Sequence, residues 1–118
     1  MSSSVWKDDD GIVWMRQEKG ATADDVRAHM DELARLLNDC DRRLVAVDVR
    51  GAPVMMPSEA REAIVRSQTA ARIDKQAFIV TNAVARMLAK TILRVSGAKH
   101  PVSFVRDDQE AVRWLLEG

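Results

Sequence analysis

Cysteine, net charge and long apolar runs are what this chain lacks. Cys40 stands alone among 118 residues, which excludes an intramolecular disulfide and leaves a cysteine-built metal site without ligands, in keeping with a reducing compartment. Eighteen Lys and Arg balance eighteen Asp and Glu to a formal net charge of +0. No global field therefore draws the chain to nucleic acid or to an anionic membrane, and any such contact has to be local. No apolar run approaches the roughly 18 residues that a membrane span needs. The opening MSSSVWKDDDG carries neither a basic segment ahead of an apolar core nor a small-residue cleavage pattern. The expectation is a cytoplasmic protein, folding as one domain over residues 1–118, a length near the roughly 100–150 residues of a typical domain.

What is present is an alternation of strand-like and helix-like stretches. Val5 to Lys7 and Ile12 to Arg16 flank Asp8, Asp9, Asp10 and Gly11, a hairpin signal because glycine tolerates positive φ. Ile12, Val13, Trp14 and Met15 are apolar on both parities, which places the second strand inside a sheet with both faces covered. Thr22, with Asp25 three residues on, predicts the start of a helix along which Val26, Met30, Leu33 and Leu37 recur on one face, and the spacing of Asp31 and Arg35 predicts an ion pair. Leu44 to Val47 is continuously apolar and rich in β-branched residues, the mark of a buried parallel strand that ends at Asp48 and Arg50. Gly51 and Pro53 make a turn. Pro57 suits the first turn of a second helix carrying Ala60, Ala63, Ile64 and Ser67 inward, and a further turn is expected from Thr69 to Ile73.

Ala77 to Val80 predicts the next buried strand, and Thr81 and Asn82 cap a third helix with Val84, Leu88, Ile92 and Val95 facing the core. Val102 to Val105 is the last strand. Asp107 and Glu110 then form a capping-box pattern for a final helix that buries Ala111, Trp114 and Leu115. The result is an α/β fold: a mixed sheet of about five strands, an N-terminal edge hairpin and about four helices. In such sheets the functional rim is the carboxyl end of the strands, where the helix N-termini also lie. Asp48, Arg50, Ser58, Thr81, Asn82, Arg106 and Asp107 fall on it.

The order of elements and the segment VAVDVRGAPVMMPSEAREAI resemble the STAS or SpoIIAA-like fold of the bacterial anti-sigma-factor antagonists. The apolar strand ending at Asp48, Gly51 and Ser58 at the opening of the next helix carry that likeness. AREAI, AFIV ahead of NAVAR, and PVSFVRDDQEAVRWL are similar to a group of small uncharacterised STAS/Sec14-like bacterial proteins. The resemblance implies a SpoIIAA-like domain and a regulatory, protein-binding role in place of catalysis. In the antagonists a serine within an Asp-Ser-Ser-Gly motif is phosphorylated to switch a protein contact. The matching stretch here reads Met56, Pro57, Ser58, Glu59, so Ser58 is the candidate phosphorylation site.

Each candidate residue also has a structural reading. Ser58 suits a helix N-terminus whether or not it is modified. Asp48, Arg50, Thr81 and Asn82 either line a polar pocket, or pair at a strand end and cap the third helix. His29 and His100 lie apart and outside any nucleophile, metal or phosphate-loop motif. Arg86, Lys90 and Arg94, with Lys99 beyond, form a basic stripe that reads either as a contact for an acidic lipid or nucleic acid or as a solvated helix face, and no aromatic interleaves with it for base stacking. Val54, Met55 and Met56 put three apolar side chains in a loop, where polar residues are the norm. They either seal the end of the sheet or form an adaptable contact surface.

The sequence thus leads to a non-enzymatic interaction or regulatory module, similar to anti-sigma-factor antagonist STAS domains. Its rim is Asp48, Arg50, Val54, Met55, Met56, Arg61, Thr81 and Asn82, with no catalytic residue, metal or cofactor expected. The partner is expected to be a protein, a second copy of the chain included, with no nucleic acid and no membrane span. The alternatives are a Sec14-like binder of a small apolar or lipid-like ligand, and a small enzyme using Asp48 and Ser58.

Overall fold

The computed structural model of the chain describes residues 5–16, 23–50, 72–96 and 100–117. The strands β1 (Val5–Lys7), β2 (Ile12–Arg16), β3 (Leu44–Asp48), β4 (Lys75–Ile79) and β5 (Val102–Val105) form one sheet in the order β1-β2-β3-β4-β5. β1 is antiparallel to β2, and every other pair is parallel. Three helices lie among the described residues: α1 (Ala23–Asn38), α2 (Ala83–Ser96) and α3 (Asp108–Leu116). The expected α/β class, the mixed five-stranded sheet and the edge hairpin are all present. The helix expected after Pro57 lies outside the described residues, as does most of the turn expected from Thr69 to Ile73.

The hairpin is organised by one side chain. Asp8 accepts the backbone N–H of Asp10 at 2.9 Å and of Ile12 at 3.0 Å, and its other oxygen takes the Trp14 indole N–H at 2.7 Å. Gly11 has a φ of 83°, a conformation open to glycine at no steric cost. The short edge strand leaves little unpaired backbone to template aggregation.

Stepwise strand order decides where the helices go. Right-handed crossovers that always advance in one direction put their connections on one face of the sheet. Met30, Leu33 and Leu37 of α1 accordingly pack with Val13, Met15, Val45, Val47 and Phe78, and Ala89 of α2 packs against the same cluster. The opposite face, Ile12, Trp14, Leu44, Ala46, Ala77, Ile79 and Val105, is closed by Ala111 and Leu115 of α3, which follows the last strand and folds back. With both faces covered, all four residues Ile12 to Met15 and all five of β3 are buried, as their continuous apolarity predicts.

Three local expectations are corrected. β4 begins at Lys75, two residues ahead of the apolar run, because its polar side chains find distant partners. Lys75 Nζ donates to the carbonyls of Trp114 at 2.8 Å and Glu117 at 3.0 Å, closing the end of α3, while the fully buried Gln76 meets His100 Nε2 at 2.7 Å. Arg35 pairs with Glu32 and not with Asp31. Val84, expected in the core, is 56% exposed and Met87 67%; the α2 stripe toward the sheet contains the half-buried Ala85 and Ala89 instead.

Candidate functional site

The carboxyl ends of the parallel strands bring Arg16, Asp48, Val80 and Arg106 to one rim, where α2 and α3 also begin. Along a strand successive side chains alternate between faces. Arg16 and Asp48 are register partners at the ends of β2 and β3 and share the α3 side, whereas Phe104 packs on the α2 side and Arg106, just past β5, lines the cavity there. The rim therefore divides into two halves.

On the α3 side Asp48 is buried, its side chain only 6% exposed. Its carboxylate accepts Arg16 Nε at 3.2 Å, and from Arg50 the backbone N–H at 3.0 Å, Nε at 3.0 Å and Nη2 at 2.9 Å. Arg50 Nη2 also donates to Asp108 in the first turn of α3 at 2.7 Å. Burial pushes the Asp48 carboxyl pKa up, but the hydrogen bonds and charge of Arg50, with the charge of Arg16, outweigh it and hold the pKa below the ordinary aspartate value. The same hydrogen bond, donated to Asp48, raises the pKa of Arg50. Arg16 meanwhile lies 5.3 Å over the Trp6 ring, which stacks on Trp14 at 6.0 Å. Two strands and a loop are thus tied at one carboxylate that accepts four hydrogen bonds, and Arg50 carries the link on to α3. Such a group holds structure; it is a poor proton acceptor.

On the α2 side a cavity of about 540 Å³ is lined by Val80, Thr81, Asn82, Ala83, Arg86, Phe104, Val105, Arg106 and Glu110. Asn82 Oδ1 accepts the N–H groups of Val84 at 2.8 Å and Ala85 at 3.1 Å, the capping expected of it. Asp107 Oδ1 accepts the Glu110 N–H at 2.8 Å, and Glu110 reaches back to the Arg106 N–H at 3.2 Å, the expected capping box displaced by one residue. The basic stripe of α2 is no bare solvated face: Arg86 and Lys90 lie 5.8 and 5.4 Å over the Phe104 ring.

The residues read from the sequence are thus separated. Asp48 and Arg50 pair on one half of the rim and Thr81 and Asn82 line a cavity on the other, while Val54, Met55, Met56, Ser58 and Arg61 lie outside the described residues. Sequence reasoning missed Arg16 and Asp108 as partners of the cluster and Arg86, Phe104 and Glu110 as cavity lining. For Arg16 a signal exists: it closes β2 as Asp48 closes β3, each the fifth residue of its strand.

The family model described as a domain of unknown function (DUF7793) matches residues 5–117. The chain belongs to that family. No curated protein matches this member of DUF7793. Among solved structures, the crystal structure of a protein with unknown function from Arthrobacter sp. FB24 aligns with 98% of this chain and 94% of that one, at 20% identity and a TM-score of 0.36. No helix among the described residues is long and apolar enough to cross a membrane.

Proposed function

We propose that this DUF7793 member is a non-enzymatic interaction or regulatory module, in the manner of STAS domains, that presents the carboxyl rim of its sheet to a partner protein. The observation that carries this reading is the pre-paired cluster of Asp48. A carboxylate saturated by Arg16 and Arg50 and tied to α3 through Asp108 builds a rigid platform at the place where the chain leaves β3 toward Val54, Met55 and Met56. Rigid presentation lowers the ordering cost of binding, and methionines supply adaptable apolar contact.

The lipid-like reading has one feature in its favour, the cavity beside Thr81. Two arginines and a glutamate in its lining suit a charged ligand better than an acyl chain. The enzymatic reading would need Asp48 to accept a proton with Ser58, against a depressed carboxyl pKa.

The test is affinity capture with the intact chain as bait against the same chain carrying Met55→Asp and Met56→Asp. The expected outcome is a stoichiometric partner retained by the first and lost by the second, with unchanged circular dichroism. Equal recovery with both baits, or no partner with either, refutes the proposal.

A further inference from the structure

We infer that the cavity between the carboxyl ends of β4 and β5 binds a small ligand through an oxyanion group, a carboxylate or a phosphate, held between Arg86 and Arg106. The inference rests on the reading of this rim as a binding surface and names the chemistry its α2 half accepts. The cavity, about 540 Å³, falls within the roughly 300–1,000 Å³ of small-molecule sites.

Its charges are out of balance. Arg16, Arg27, Arg35, Arg50 and Arg72 each meet a carboxylate. Arg86 and Arg106 line one cavity and, among the described residues, neither makes an ion pair. The one carboxylate in the lining, Glu110, is turned to the backbone N–H of Arg106 at 3.2 Å and bonds neither guanidinium. Lys90 adds a further positive charge over Phe104.

The cavity is also prepared in geometry. Phe104 stacks on Phe78 at 5.5 Å, which fixes the ring, and the ring in turn positions the Arg86 guanidinium 5.8 Å above it. A guanidinium held in place loses less entropy when it takes up an anion, and its planar fork suits a carboxylate or phosphate. Arg106 directly follows β5 and lines the same cavity as Phe104. The Thr81 hydroxyl, without a hydrogen-bond partner among the described residues, supplies a third donor. The leading N–H groups of α2 are already taken by Asn82, so recognition falls to side chains and not to a bare helix end.

The experiment is amide chemical-shift titration of the full chain with inorganic phosphate and, separately, with succinate, each against chloride at matched ionic strength. Saturable shifts are expected at Thr81, Asn82, Arg106 and Glu110 with at least one anion; which of the two saturates distinguishes phosphate from carboxylate. Arg86→Gln and Arg106→Gln should each weaken binding tenfold or more, while Arg94→Gln leaves it unchanged. Shifts that match chloride, or variants that titrate like the parent chain, overturn the inference. Saturation by a polyglutamate peptide alone overturns it too, in favour of a docking face for an acidic protein. A chain that captures its partner yet ignores both anions refutes this site only, whereas anion binding with no partner captured refutes the partner reading only.

Discussion

Replacing Asp48 separates what its charge does from what its shape does. Asp48→Ala removes a carboxylate that accepts one backbone N–H and three guanidinium N–H groups. The Arg50 N–H, part-buried, is left without its acceptor, a loss worth about 1–3 kcal/mol. The side chains of Arg16 and Arg50 are 45% and 34% exposed, so both turn to water, and Arg50 keeps Asp108. We therefore assign each lost ion pair only about 0–1 kcal/mol, the value of exposed pairs, and not the 3–5 kcal/mol of a fully buried one. The sum is about 1–5 kcal/mol for Asp48→Ala, whereas Asp48→Asn keeps an acceptor for the Arg50 N–H and costs only the two pairs, about 0–2 kcal/mol. The assay is urea unfolding followed by tryptophan fluorescence, read as a shift in midpoint at constant slope.

The pH dependence fixes the sign independently. The folded pKa of Asp48 lies below its unfolded value, so its contribution is present above the ordinary aspartate pKa, about 3.9, and is lost as pH falls below that through the folded value. The parent chain should lose stability in acid more steeply than Asp48→Asn. An alanine cost under about 0.5 kcal/mol, an asparagine cost equal to that of alanine, or identical acid slopes would refute the platform argument.

Two further outcomes follow from the described contacts. Asp8→Ala removes three hydrogen bonds that define the hairpin; at about 0.5–1.5 kcal/mol each the expected loss is about 1.5–4.5 kcal/mol, read in urea with a red-shifted Trp14 emission, and a loss under about 0.5 kcal/mol counts against the assignment. Burial lowers the pKa of His100 in the folded state, so below the ordinary histidine value, about 6.5, the unfolded chain takes up a proton that the folded chain refuses, and stability falls with falling pH. His100→Gln should flatten the stability curve between about pH 7 and pH 5 relative to the parent, with parallel curves above, and equal slopes in that window would contradict the burial of this imidazole.

The parts of the fold legible in the sequence were those whose cause is local. Leu44 to Val47 and Ile12 to Met15 are apolar on both parities because both faces of the sheet are covered, and Asp-Gly at a turn needs no distant partner to be read. Asp48 and Arg50 pair across two residues, so their union was visible as well. Arg16 joins the same carboxylate across 32 positions and Asp108 joins Arg50 across 58. No spacing rule reaches so far. Lys75 and Gln76 looked like the end of a loop for the same reason, since the carbonyls of Trp114 and Glu117 and the imidazole of His100 that make them strand residues come late in the chain. Helical periodicity gave α2 a length but misplaced its first turn: Val84 is exposed, and the small Ala89 packs against the core, while the side chains of Leu88, Ile92 and Val95 lie outside those described.

The alternation of side chains along a strand explains why one rim carries two unlike surfaces. Arg16 and Asp48 end strands on the parity that faces α3, and the helix that closes that face brings Asp108 at its start, so the charges there are satisfied within the fold. Phe104 lies on the other parity, beneath α2, whose first turns bring Arg86 and Lys90 but no acid, and Arg106 lines the cavity beside it. Among the described residues no ion pair meets the positive charge on that side. The two halves should then respond to different changes. Substitution at Asp48 should alter stability with little effect on anion binding, and substitution at Arg86 or Arg106 should alter binding with stability nearly unchanged. The two sets lie on opposite faces of the sheet and share no partner, so their free energies should add.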